Sequence, residues 1–141
     1  MPDDPRSPLE LLEALTVQEV AIAPELRHLE IYTMRGLLTL LWHGPVDAGE
    51  VLVTCGGGMG SLLGPAEGLY HDLGVMLAAR GIGTVRVGYR KPNDLPRCVH
   101  DVAAAADLAC VTGWNHPGRT SPTCSCSSLA ATWVQFRATQ A

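Results

Sequence analysis

Four glycines in five positions, Gly56-Gly57-Gly58-Met59-Gly60, follow directly on the apolar run Val51-Leu52-Val53-Thr54-Cys55. A turn of this composition leaves backbone N–H groups uncovered by side chains, so they can converge on an oxygen that carries negative charge. Two chemistries use that arrangement: stabilising an oxyanion as it develops on a substrate, or holding a phosphate. A tight turn that merely tolerates positive φ is the plain alternative.

The phosphate reading is poorly served. Gly58-Met59-Gly60-Ser61-Leu62-Leu63 supplies G-x-G without the third glycine, and Pro65 falls where a phosphate-binding helix should be running. Arg86 and Arg90, near the end of the next strand, are the residues that would meet a 2′-phosphate such as that of NADP. Cys55 has neither a following helix nor an adjacent base to activate its thiol, and is expected to be a buried strand-end residue. His71 and His100 fall on helical patterns and are expected in solvent. His116, Cys124 and Cys126 are three ligand types at a spacing that fits no standard zinc site, which needs four. No metal and no cofactor are expected. Glu25, Glu30, Glu50, Glu67 and Asp72 form no pair suited to acid–base work.

The glycine loop needs elements to hold it, and the flanking pattern supplies them. Leu69, Leu73, Met76 and Leu77 recur at helical spacing and predict the inward face of a helix that Gly81 stops. Ile82 to Gly88 reads as the next strand and Lys91 to Asp94 as a loop. Leu95, Val99, Val102, Ala106 and Ala109 predict the apolar face of a second helix, with His100, Asp101 and Asp107 directed elsewhere. Upstream, Ser7-Pro8-Leu9-Glu10 has the form of a capping box. Val20 to Ile22, His28 to Thr33 and Leu37 to Trp42 predict strands, the last two joined by a turn at Met34-Arg35-Gly36. The expected fold class is α/β: an antiparallel hairpin leading into a mostly parallel sheet with flanking helices.

Composition bounds the function classes. At 141 residues with 47% apolar and 17% charged residues, the chain is expected to fold largely as one domain. A net charge of −4 without a basic stripe argues against nucleic acid as a partner. The acidic, proline-rich start is unlike a signal peptide, and no apolar run reaches the roughly 20 residues of a membrane span. A cytoplasmic location with free cysteines and no membrane contact is the expectation.

Val51 to Gly58 resembles the third strand and HGGG-type oxyanion loop of α/β-hydrolases. The resemblance runs on through the helix at Gly68 to Arg80, the strand Ile82 to Gly88, the loop Tyr89 to Asp94 and the helix Leu95 to Ala109, and His28 to Trp42 is similar to the family's opening hairpin. It implies an esterase- or dienelactone-hydrolase-like protein acting on a small acyl substrate, with an oxyanion N–H drawn from Gly57, Gly58 or Met59. Cys55 stands where many members carry His. The family's nucleophile sits in a G-x-S-x-G elbow, followed by an acid and a His. No such elbow occurs in this sequence, and Ser61, Ser121, Ser125, Ser127 and Ser128 lack the glycine bracket.

No catalytic residue is therefore assigned, and whether the chain is an enzyme is left open by the sequence. The hydrolase reading expects an inactive chain as written, and the alternative is a non-catalytic Rossmann-like module binding NADP or a protein partner. The expected organisation is an N-terminal helix over 1–16, an incomplete α/β-hydrolase-like domain over 17–110 and an atypical tail over 111–141. The Ser/Cys/Trp-rich tail has no acidic residue, is expected to be disordered or a single helix, and suggests a truncated or frameshifted continuation. The resemblance places the Val51 strand beside the Ile82 strand and leaves its other edge open, so self-association through that edge is expected.

Overall fold

The computed structural model describes residues 6–57 and 60–111. The first described element is a single 3-10 turn, Glu10–Leu12; of the helix expected over 1–16, residues 1–5 lie outside the described residues and the rest forms only this turn before β1. The capping box forms: the Ser7 N–H donates to Glu10 Oε2 at 2.8 Å and the Glu10 N–H to Ser7 Oγ at 3.3 Å. Glu13 then enters the left-handed region at φ 50° and ends the turn, so the chain is free to become a strand.

Three antiparallel strands follow: β1 (Thr16–Ala23), β2 (Leu26–Thr33) and β3 (Gly36–His43). Gly36, at φ +121°, closes the two-residue turn between β2 and β3, and the Thr33 hydroxyl donates to its carbonyl at 2.8 Å. Then come β4 (Val51–Cys55), α1 (Leu69–Ala78), β5 (Gly83–Gly88) and α2 (Leu95–Val111). The strands form one mixed sheet in the order β1-β2-β3-β5-β4, with β5 antiparallel to β3 and parallel to β4. A parallel pair cannot be joined by a tight turn, and the segment that carries α1 provides the long connection it requires. The α/β class is as expected, but the sheet is not mostly parallel: among the described residues only the β4–β5 pair is parallel and the other three pairings are antiparallel, because β5 lies against the antiparallel hairpin strand β3. Among the described residues β4 is the last strand of the sheet.

Residues paired across strands share a face, which splits the sheet into two unlike sides. On one lie Leu29, Ile31, Leu38, Leu40, Trp42, Val53, Val85 and Val87, covered by Ala104, Ala105 and Leu108 of α2, with Leu12 joining from the N-terminal turn. This is the hydrophobic core. On the other side, beneath α1, lie the buried polar residues His43, Thr54, Thr84 and Arg86.

α1 is turned away from the orientation its apolar spacing predicts, and α2 departs from it in part. In α1 the buried residues are Tyr70, Gly74 and Ala78, while Leu69 and Met76 are exposed and Leu73 and Leu77 half-buried. Gly74 explains the rotation: a Cβ there would stand 2.6 Å from Cγ of His43, so only the glycine side of the helix can settle this close to β3. In α2, Val102, Ala106 and Ala109 pack against the core as expected, but Leu95 and Val99 are exposed and the most buried residues are Cys98, Asp101, Ala104, Ala105 and Leu108. Asp101 is drawn to the interior by a buried cation, an attraction that hydrophobic spacing does not register.

Candidate functional site

The glycine loop leaves the C-terminal end of β4 and is pinned at its root by two tyrosines. The hydroxyl of Tyr70, from the first turn of α1, donates to the Cys55 carbonyl at 2.9 Å. The hydroxyl of Tyr89, directly after β5, donates to the Gly56 carbonyl at 2.7 Å. With these two carbonyls tied down, the direction in which the chain leaves the sheet is set. Burial raises the pKa of both phenols, so both remain protonated donors at neutral pH.

The loop then doubles back. A Cβ at Gly56 would lie 2.5 Å from the Ser61 nitrogen, so glycine is required there. The Gly60 N–H donates to the Gly57 carbonyl at 2.8 Å, and Gly60 itself sits at φ +71° against the Tyr89 and Pro92 side chains. Gly57 is exposed, with nothing within 4 Å of the position a Cβ would take. Of the three candidate donors, Gly57 therefore faces open space, while Gly58 and Met59 lie outside the described residues. The Gly60 amide is spent inside the turn.

The other chemistry-bearing residues are placed as follows. Ser61 Oγ accepts the N–H groups of Leu63 and Gly64, each at 3.2 Å, and serves as a turn residue. Burial raises the Cys55 thiol pKa, opposed by a Tyr89 hydrogen bond and reinforced by nearby Cys98, so Cys55 stays a thiol. Cys55 and Cys98 are free, whereas Cys110 is disulfide-bonded and departs from the expectation of free cysteines throughout. Among the described residues no group of three or more His, Cys, Asp or Glu side chains converges as metal ligands, and no helix is long and apolar enough to cross a membrane.

Neither arginine proposed for a 2′-phosphate reaches solvent. Arg86, 3% exposed, donates through Nη1 to the Leu62 carbonyl at 3.0 Å. Arg90 donates through Nε to Asp101 Oδ1 at 2.6 Å and through its backbone N–H to Oδ2 at 2.9 Å. The three polar residues of α2 that were expected to point elsewhere all make internal contacts. Asp101 holds Arg90, and Asp107 accepts the Leu9 N–H at 3.1 Å. His100 is not in open solvent: its Nε2 is 2.8 Å from the Pro8 carbonyl and its Nδ1 is 3.2 Å from Arg90 Nη2. Only one neutral tautomer satisfies both, with Nε2 donating and Nδ1 accepting. His71 is exposed as expected, with its ring edge toward that of His43, centroids 5.3 Å apart.

Tyr70, Tyr89 and His43 are the residues that sequence reasoning missed. A signal did exist for the tyrosines, since each begins the element or loop next to a glycine turn whose carbonyls need donors. His43 gave none, because a histidine at a strand end before Gly-Pro reads as a breaker. The depression lined by Glu19, Arg27, Leu29, Trp42 and Val46 lies on the antiparallel hairpin side and includes none of the glycine-loop residues.

The fold and the loop together define an α/β protein with a clamped glycine turn at the end of a parallel strand. Comparison with protein-family models, with curated proteins and with solved structures finds no match to the chain.

Proposed function

We propose that this chain is an α/β-hydrolase-like protein of the ester and acyl hydrolase class, carrying the family's oxyanion loop at Gly57, Gly58 and Met59 but no nucleophile elbow and no catalytic histidine. As written it is inactive. The observation that carries the reading is the placement of the glycine loop: it leaves the C-terminal end of β4, parallel to β5, with its two root carbonyls held by Tyr70 and Tyr89. Carbonyls held inward free the following amides to serve an outside oxygen, and a pre-set donor of this kind is worth about 2.7–4 kcal/mol in a transition state. The absence of a G-x-S-x-G anywhere in the sequence carries the inactivity. A hydroxyl without a base is a weak nucleophile.

Two measurements on the full chain test the two halves of the reading. Titrating a small phosphonate at pH 7 and following backbone amide resonances should shift Gly57 and its neighbours and leave α2 unchanged. Shifts spread evenly over the surface would remove the anion-receiving role. Labelling with a serine-reactive fluorophosphonate should leave the protein unmodified; covalent labelling at any serine would overturn the inactivity.

A further inference from the structure

Three side-chain atoms among the described residues are buried without a hydrogen-bond partner: His43 Nε2, Thr84 Oγ1 and Arg86 Nε. They occupy one patch. His43 and Thr84 are partners across β3 and β5, and Arg86 lies two residues along β5 on the same face. α1 rests on this patch at Gly74, where a Cβ would stand 2.6–2.9 Å from atoms of the His43 imidazole. One turn earlier on α1, Tyr70 holds the Cys55 carbonyl where the glycine loop begins. A continuous set of contacts therefore runs from His43 through α1 to the loop.

We propose that His43 is an acid-sensitive seat for α1: protonating its ring releases the helix, and with it the Tyr70 hydroxyl that fixes the root of the glycine loop. The charges acting on His43 are Arg86, from β5, and His71, from α1, and both oppose a proton on the ring. The register places only Leu52 of β4 and Leu26 of β2 beside the His43–Thr84 pair. The ionisable groups on that face of β2, His28, Glu30 and Tyr32, pair with Leu41, Thr39 and Leu37, further along β3. A second positive charge in the patch meets Arg86 with no carboxylate between them, in a place where an unpaired charge is costly. The imidazole cannot turn toward water while Gly74 lies on it, so relief comes from moving α1. Burial is the main reason the ring resists protonation, with Arg86 and then His71 adding to it, and its pKa falls from 6.5 to about 4.

That the loop receives anions rests on the function proposed above; the release of α1 does not. The test is a pH series on the full chain, following the His43 ring by nitrogen-detected NMR and backbone amide exchange in both helices. The α1 amides should open about tenfold more for each pH unit below the ordinary histidine range, once intrinsic rates are removed. This should level off near the His43 midpoint of about 4. The α2 amides should hold their protection, and Gly57 and Gly60 should shift in step with the His43 ring. In Tyr70→Phe the α1 response should persist while the loop no longer follows. His43 taking up a proton with α1 unchanged, or both helices opening together, would overturn the seat. A loop that still follows in Tyr70→Phe would overturn the link. The phosphonate titration at pH 7 is independent of both, so its failure removes the anion role and leaves the seat standing.

Discussion

The two faces of this sheet are built on opposite principles. The α2 face is filled by Leu29, Ile31, Leu38, Leu40, Trp42, Val53, Val85 and Val87, and the polar groups that approach it are paired: Asp101 with Arg90, Asp107 with the Leu9 amide, His100 with Pro8 and Arg90. The α1 face is thin and polar. Its helix sits on glycine and alanine, it covers three unpartnered polar atoms, and it leaves Leu69, Val75 and Met76 in solvent. One face has the features of a stable core, the other those of a surface that can open. The glycine loop is tied to the second through Tyr70 and to the end of β5 through Tyr89.

The α2 face fails when something is removed. Asp101→Ala leaves the Arg90 guanidinium buried without its carboxylate and should cost about 3–5 kcal/mol by denaturant unfolding. A cost below about 1 kcal/mol would show that water already reaches the pair.

The α1 face responds to protons. His43 is neutral when folded, with a pKa lowered to about 4, so its contribution is complete above 6.5 and is lost as pH falls from 6.5 toward 4. Stability measured across that window should drop by roughly 3 kcal/mol, and His43→Leu should remove this part of the slope. A flat profile in the native chain would break the contrast.

The same face should fail when something is added. Gly→Ala within a helix ordinarily stabilises by about 0.5–1 kcal/mol. At Gly74 the new Cβ would meet the His43 ring at 2.6 Å, and the sign should reverse to a loss of about 1–3 kcal/mol. The smallest effect sharpens the account of the loop. Tyr89→Phe removes one neutral hydrogen bond to the Gly56 carbonyl and should cost about 0.5–1.5 kcal/mol, with faster exchange confined to residues around Gly57 and Gly60. A larger, global loss would mean the tyrosine belongs to the core instead.

Much of the fold was legible beforehand. The strand starting at Val51, the hairpin turn at Met34-Arg35, the helix stop at Gly81 and the helix start at Leu95 all follow from local signals: apolar runs, β-branching, glycine and proline. The N-terminal segment shows where such signals run out. Its capping box formed as read, yet the helix it should open is one 3-10 turn, because β1 claims the chain from Thr16 to pair with β2. Of the candidate site, the glycine loop and its place after β4 could be read, and its two tyrosine pins could not.

The sequence by itself determined which segments are strands and helices and in what order they come, since those choices depend on residues a few positions apart. Only the tertiary structure decided which side of α1 turned inward and which residues of α2 went deepest. Gly74 meeting His43, Asp101 meeting Arg90, and Tyr70 and Tyr89 reaching the carbonyls of Cys55 and Gly56 are contacts between groups 11 to 33 residues apart. Periodicity cannot foresee them, because it weighs how apolar a residue is and carries no knowledge of the partner that will stand opposite.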